Sequence, residues 1–393
     1  MKDRNSSGGV LIVAQTPFQL YMAIVISKLS SAPVKLWIID PALSGYLDAC
    51  SKSNIWRSVN YAELNSEYVS DKRSLSNRIR RIMSFYAIRL RIKNFLRINH
   101  PSVVLVFSDN HEVTAAFVRL SKTLTRSRVV LGEEGSAAYF SYKRTRANPW
   151  KVVVRRALLL DNCYGYSIGW SPYIDSVLVS DADLVHPDYI HGRDVVELPP
   201  GPIPCEALEA ARTVFSINVQ GNSDGTRDIL ILGQPWSEMG KMSKESEFQM
   251  YKEIDKSSFS KRVIIKPHPF ENPKKYEGLE NVMLCDSSYF SVPAELLFDV
   301  FKPKLTISTF SSAAINYTLR FGGLSIFLLD ELNVPQVQRF VVDKLLGLGL
   351  FRICRSMNDA LETVEDVLEK EEKLTLMSHE SLAEWKLCVK KIF

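Results

Sequence analysis

Val10-Leu11-Ile12-Val13-Ala14 is an unbroken apolar run, followed by Gln15-Thr16-Pro17 and then by apolar positions at helical spacing from Phe18 to Leu29. A short continuous run predicts a strand buried on both faces, and the Thr-Pro step predicts a turn into a helix. The same unit recurs at Val34 to Ile39, at Val103 to Phe107 before Ser108-Asp109-Asn110-His111, and at Val129 to Leu131 before Gly132-Glu133-Glu134-Gly135. Short apolar runs alternating with amphipathic stretches argue for a parallel α/β sheet. Around 195–227 the texture changes to Leu198-Pro199-Pro200-Gly201-Pro202-Ile203-Pro204, a helical stretch from Cys205 to Phe215, and a polar Gln-Gly-Asn-Ser-Asp-Gly-Thr tract. The rhythm then restarts at Asp228, Arg262, Leu305 and Gly323, and from Asp359 onward the chain reads as charged helix. The predicted organisation is an N-terminal α/β domain over 1–198, a linker over 199–227, and a C-terminal α/β domain over 228–393 whose last helix is free to pack back. Ligands of such sheets bind at the carboxyl ends of the strands, so the residues just after each run are where chemistry is sought.

Length and composition agree with two ordinary cores: 393 residues, 46% of them hydrophobic and 24% charged. Disordered, collagen-like and polytopic membrane classes are excluded. The Val10–Ile26 stretch is not read as a membrane span or a signal peptide. Gln15, Thr16, Pro17 and Gln19 interrupt its middle, and no small-residue cleavage site follows it. Six cysteines at 50, 163, 205, 285, 354 and 388 form no zinc-ligand spacing and read as reduced thiols of a cytosolic protein.

The net charge of +5 is concentrated. Lys72, Arg73, Arg78, Arg80, Arg81, Arg89, Arg91, Lys93 and Arg97 are interleaved with apolar residues, and no acid lies between Asp71 and Asp109. A second cluster is Lys143, Arg144, Arg146, Lys151, Arg155 and Arg156, with Trp150 inside it. Basic amphipathic helices suit an anionic membrane surface; the plainer reading is a solvated cationic face. No recognition motif accompanies the charge, so nucleic acid is not an expected partner.

Three strand-end motifs carry candidate chemistry. Glu133-Glu134-Gly135 offers two adjacent carboxylates beside a glycine that permits a tight turn; either a general base or a surface turn fits. In Lys266-Pro267-His268-Pro269 two prolines fix the backbone around one imidazole, which suits it to meet a leaving phosphate or to serve as a structural hydrogen-bonder. Ser311 and Ser312 open a predicted helix, either as an anion site or as a plain cap. Asp181-Ala182-Asp183, His186 and His191 lack a completing ligand shell and are not read as a metal site.

In combination these motifs resemble the bacterial sialyltransferases of the GT-B type, which pair two Rossmann-like domains across a cleft. The resemblance is closest to the family 52 lipooligosaccharide sialyltransferases and more distant to the bacterial polysialyltransferases, which share the acidic-acidic-glycine, His-Pro and Ser-Ser signatures. It implies a base at the acidic motif, Glu134 in preference to Glu133. It places His268, Pro269, Ser311 and Ser312 at the phosphate of a CMP-sugar, Gly233 and Gln234 near the nucleotide, and Glu295 at the cytidine ribose. Thr16, Pro17 and Gln19 would line the sugar side, with Asn110 and His111 as acceptor contacts. The implied reaction is metal-independent, inverting transfer of sialic acid to a lipid-linked or capsular glycan, by a cytoplasmic enzyme peripheral to the inner membrane face. The Glu-Glu-Gly motif departs from relatives that carry an aspartate there, and the basic stretch after Asp71 does not align. A transferase using another CMP-nonulosonate or a UDP-sugar, and a non-catalytic scaffold at the membrane, stay open beside this reading.

Overall fold

Short runs rich in Val, Ile and Leu pair side by side because each is buried on both faces, as strands of all-parallel sheets are. The computed structural model describes residues 8–62, 75–133, 135, 168–185, 187–217, 228–309, 311–328, 345–347, 349, 351–354, 356–369 and 382–393. Outside them lie Glu134, Lys72, Arg73, His186 and the whole second basic cluster, and the side chains of Arg78 and Arg81 are likewise undescribed.

The first sheet contains β1 (Val10–Ala14), β2 (Val34–Ile38), β3 (Ser58–Tyr61), β4 (Val103–Val106), β5 (Arg128–Gly132), β6 (Ser176–Val179) and β7 (Asp194–Glu197). Its order is β3-β2-β1-β4-β5-β6-β7 with every neighbouring pair parallel. The second sheet contains β8 (Ile229–Leu232), β9 (Val263–Lys266), β10 (Met283–Leu284), β11 (Leu305–Ser308), β12 (Leu324–Leu328) and β13 (Phe351–Cys354). Its order, β10-β9-β8-β11-β12-β13, is again fully parallel. Both are doubly wound sheets whose direction of growth reverses once, between β1 and β4 in the first and between β8 and β11 in the second. At such a switch point the flanking loops part and leave a crevice at the carboxyl edge.

The helices of the first unit are α1 (Pro17–Leu29), α2 (Leu47–Lys52), α3 (Leu75–Asn99), α4 (Glu112–Leu120), α5 (Pro187–Ile190) and α6 (Cys205–Val214); those of the second are α7 (Lys244–Lys256), α8 (Ala294–Phe301), α9 (Ser312–Phe321) and α10 (Met357–Glu369). The last helix, α11 (Leu382–Ile392), belongs to the first unit. Met1–Pro199, Pro204–Phe215 and Ser381–Phe393 form one compact unit, and Pro200–Ile203 with Ser216–Glu380 form the other. The division therefore differs from simple boundaries at 199 and 227. Helix α6, inside the expected linker, packs on α1, and α11 packs on α1 and β7.

That packing explains a departure from the expected amphipathic α1. Residues Gln19 to Ser27 and Leu29 are all buried, because the sheet, α6 and α11 cover the helix on several sides. Helix α3 buries Phe85, Ile88, Ile92 and Leu96, a stripe at i, i+3, i+7 and i+11, and packs against α4. Its other side keeps Met83, Leu90 and Ile98 in solvent, at 67, 59 and 80% exposure.

Candidate active site

In the second unit, the carboxyl ends of β8, β9 and β11 bring three of the sequence motifs to one edge. Gly233 and Gln234 follow β8, His268 follows β9, and Ser311 and Ser312 follow β11. Trp236 Nε1 donates to Thr309 Oγ1 at 2.7 Å, tying the β8 loop to the β11 loop across the switch point. Ser311 is the N-cap of α9: its backbone is extended and its hydroxyl accepts from Ala313 N at 3.2 Å, while Ser312 is the first helical residue. The first turn of α9, with its donor N–H groups and positive dipole end, thus lies at the crevice.

His268 is half-buried. Its Nδ1 accepts from Phe270 N at 3.2 Å, which leaves the hydrogen on Nε2, and Nε2 has no partner among the described residues. Burial lowers the imidazole pKa to about 4, and the nearby Lys266 and Lys275 add repulsion. The ring is therefore a neutral hydrogen-bond donor at pH 7. Lys266 is buried, donates from Nζ to Pro267 O and Phe290 O at 2.9 Å each, and is pushed down to about 8 by burial. It anchors the Pro-His-Pro turn from below.

Glu271 was not singled out by sequence reasoning. Its Oε2 accepts from His268 N at 2.5 Å and from Tyr276 Oη at 3.0 Å, and its Oε1 pairs with Lys275 Nζ at 2.6 Å. A Cβ at Gly233 would collide with that carboxylate and with Tyr276 Oη, so the glycine is required for loop packing whatever else it meets. The only trace in the sequence is the spacing Glu271-x-x-x-Lys275 directly after the His-Pro step, which reads as an ordinary surface pair. Glu295, in the first turn of α8, is buried and accepts from Asn316 Nδ2 of α9 at 3.1 Å; burial raises its pKa. Pro269 lies exposed on the turn after His268.

In the first unit, the corresponding edge holds Thr16, Pro17 and Gln19 after β1 and Asn110 and His111 after β4. Thr16 caps α1 by accepting from Gln19 N at 3.2 Å, Pro17 occupies the first helical turn, and the buried Gln19 accepts from Gln15 N at 2.8 Å. His111 caps α4, its Nδ1 accepting from Val113 N at 3.3 Å, and Asn110 is half-buried beside it. Asp109 is spent on structure: its buried carboxylate accepts from Gly169 N and Ser171 N at 2.7 Å each, and Arg193 holds the carbonyls of the same two residues.

Of the two acidic neighbours, Glu133 is the one among the described residues. Glu133 is buried, and its Oε2 accepts from Ser180 N at 2.7 Å, bridging the ends of β5 and β6. Gly135 takes a positive φ of 49°, the turn that a glycine there permits. Asp181 is a turn former, with Oδ1 accepting from Asp183 N at 2.8 Å and Leu184 N at 3.2 Å. Among the described residues, no three His, Cys, Asp or Glu side chains gather as a metal site.

Residues 202–330 match the family model of the alpha-2,8-polysialyltransferases. That segment holds Gly233, Gln234, His268, Glu295, Ser311 and Ser312. The chain resembles the bacterial GT-B sialyltransferases. The match falls on polysialyltransferases, which sequence motifs alone made the more distant relatives, and nothing singles out family 52. No curated protein matches the chain in sequence. Among solved structures, the chain is similar to a 2,6-sialyltransferase from Vibrionaceae Photobacterium sp. JT-ISH-224, in a ternary complex with CMP and lactose. The identity is 12%, the TM-score 0.53, and the coverage 88% of this chain and 78% of that one. It is also similar to the UDP-GlcNAc 2-epimerase from Methanocaldococcus jannaschii, with 12% identity, a TM-score of 0.56, and coverage of 96 and 98%. With its two parallel-sheet α/β domains, the GT-B sialyltransferase-like chain has a GT-B fold.

Proposed function

We propose that the protein is a sialyltransferase, moving sialic acid from CMP-sialic acid to a hydroxyl of a bacterial surface glycan, lipooligosaccharide or capsule, without a metal. The observation that carries this reading is the coincidence of the polysialyltransferase match with one edge of one sheet, where Gln234, His268, and Ser311 with Ser312 follow the adjacent strands β8, β9 and β11. The residues supply the chemistry in a simple way. As the bond between the anomeric carbon and the phosphate oxygen breaks, its electron pair leaves with CMP. The neutral His268 donates Nε2–H to the phosphate, and Ser311, Ser312 and the α9 N-terminus add further donors. A leaving monoester concentrates less charge than a diphosphate, which is the ground for expecting no metal requirement. The acceptor oxygen attacks the opposite face, inverting the configuration, and Glu134 takes its proton.

In the same reading Gly233 and Glu295 belong to the nucleotide side, with Pro269 beside the phosphate. Thr16, Pro17 and Gln19 face the sugar, Asn110 and His111 face the acceptor, and Glu133 supports the turn that carries the base. The enzyme works in the cytoplasm with the solvent side of α3 against the anionic inner membrane face, which brings it to lipid-linked acceptors.

Thermal unfolding with CMP, CDP, UDP and GDP, each with and without magnesium, tests the donor. A shift with CMP that ignores magnesium is the expected result, because a ligand that binds the native state raises the melting temperature. A shift confined to UDP, or one dependent on metal, points instead to a UDP-sugar transferase. No shift with any nucleotide favours a scaffold. Glu134→Gln is expected to lower transfer by roughly a hundredfold or more while leaving CMP affinity within about twofold, since a base acts on the acceptor and not the nucleotide. Surviving transfer would remove Glu134 as the base.

A further inference from the structure

Around Lys275 the second unit buries an ionic cluster that none of the sequence motifs includes. Lys275 Nζ lies 2.6 Å from Glu271 Oε1, 2.6 Å from Glu247 Oε1 and 3.6 Å from Glu238 Oε2, and it stands over the rings of Tyr251 and Tyr276. Three carboxylates surround one ammonium, and the side chains of Glu271 and Glu247 are almost wholly buried. Stability alone is a poor reason for such a cluster. Apolar groups of similar volume commonly replace a buried ion pair at no cost, and the excess negative charge makes this one less favourable still.

The cluster's backbone partners show what it holds. Glu271 accepts from His268 N, and Lys275 donates to Gln234 O at 3.1 Å. Glu238 accepts from Asn272 N at 2.9 Å, and Glu247 accepts from Ser237 N at 3.2 Å. Every one of these backbone groups belongs to the loop after β8 or the loop after β9. Two loops from neighbouring strands, carrying Gln234 and His268, are thereby fastened to one another, with the Glu271–Lys275 pair linking the hold on His268 N to the hold on Gln234 O. The same grip on His268 N sets the turn in which Nδ1 meets Phe270 N, and so decides that Nε2 carries the free hydrogen.

We propose that Glu271 and Lys275 are positioning residues that lock the Gln234 and His268 loops into one arrangement for binding a nucleotide monophosphate at this edge. The proposal deepens the donor-site reading and rests on it for the ligand, but the state of the His268 ring can be read in the free protein.

The test compares wild type with Glu271→Gln and with the double variant Glu271→Leu/Lys275→Met. Readouts are the ring nitrogen shifts of His268 by NMR without ligand, CMP affinity by calorimetry, and melting temperature. The double variant leaves the buried Glu247 carboxylate without its ammonium and is expected to melt below wild type, so ring shifts and affinity are read well below its transition. Its His268 ring should pass from one tautomer to an exchanging pair, and its CMP affinity should fall about tenfold, the loss of one charge-assisted hydrogen bond. Glu271→Gln keeps an acceptor for His268 N and should retain the wild-type tautomer, with affinity reduced by only about threefold. A double variant that keeps both the tautomer and the affinity overturns the proposal. If the double variant does not fold, a Glu271→Gln ring that has lost the wild-type tautomer overturns it and one that keeps it supports it. If wild type does not bind CMP, the donor reading fails, while the tautomer comparison still decides whether the pair positions the ring.

Discussion

At pH 7 the imidazole of His268 is neutral because burial, helped by Lys266 and Lys275, opposes its protonation. A histidine with a native pKa of about 4 and an unfolded value near 6.5 binds its proton in the unfolded state first. Stability attributable to this group is therefore complete above about pH 6.5 and is lost as the pH falls toward 4. His268→Asn, whose side-chain oxygen still accepts from Phe270 N, should flatten that part of the stability profile. The check is the difference between wild-type and variant unfolding free energies from pH 7 to pH 4, in urea. A constant difference would mean that the imidazole is not held neutral. The histidine was legible from its two flanking prolines. The engagement of Glu133 by Ser180 N was not legible, since it joins two strand ends distant along the chain. Glu271 and Lys275 were invisible because an i, i+4 acid–base pair is ordinarily a surface feature.

Helix α3 shows why periodicity alone leaves the role of an element open. Its apolar positions form two stripes, and which one packs depends on where α4 lies. Phe85, Ile88, Ile92 and Leu96 take the interior, so Met83, Leu90 and Ile98 share the solvent side with the exposed cations Arg80, Arg91 and Arg97. If that side meets anionic lipid, binding to vesicles containing phosphatidylserine should fall with salt, as screening over about 8 Å at 0.15 M requires. Met83→Ser/Leu90→Ser and Arg80→Glu/Arg97→Glu should each weaken binding by about tenfold, by removing apolar insertion or charge attraction. Equal binding to neutral vesicles, or none at all, would refute the membrane role. Among the strands, β1, β2, β4, β5, β8, β9, β11 and β12 were legible as short runs rich in apolar residues. The edge strands β3, β7, β10 and β13 were not, because an edge is covered less completely and admits residues such as Ser58, Asn60, Asp194 and Arg352. The interior strand β6, only four residues long, also escaped notice.

The whole chain is two doubly wound units, with its last helix returned to the first. Trp385 of α11 is fully buried, and Cys388, Val389 and Ile392 complete the packed face. Trp385→Ala should cost the first unit about 3–5 kcal/mol, as a large cavity does, and lower its transition in scanning calorimetry. An unchanged thermogram would mean that α11 is dispensable to that unit. Among the described residues no helix is long and apolar enough to cross a membrane. The alternation of buried strands with helices was already decided by the sequence, since burial on both faces of a parallel strand favours runs rich in Val, Ile and Leu. So was the location of the candidate chemistry just after those runs, where side chains leave the sheet. Only the tertiary structure decided strand order, and with it the placing of Gln234, His268 and Ser311 after three adjacent strands at one sheet edge. It also decided which carboxylates are consumed by backbone amides and which side chains join the two loops. These outcomes depend on contacts between residues distant along the chain, and local periodicity carries no record of them.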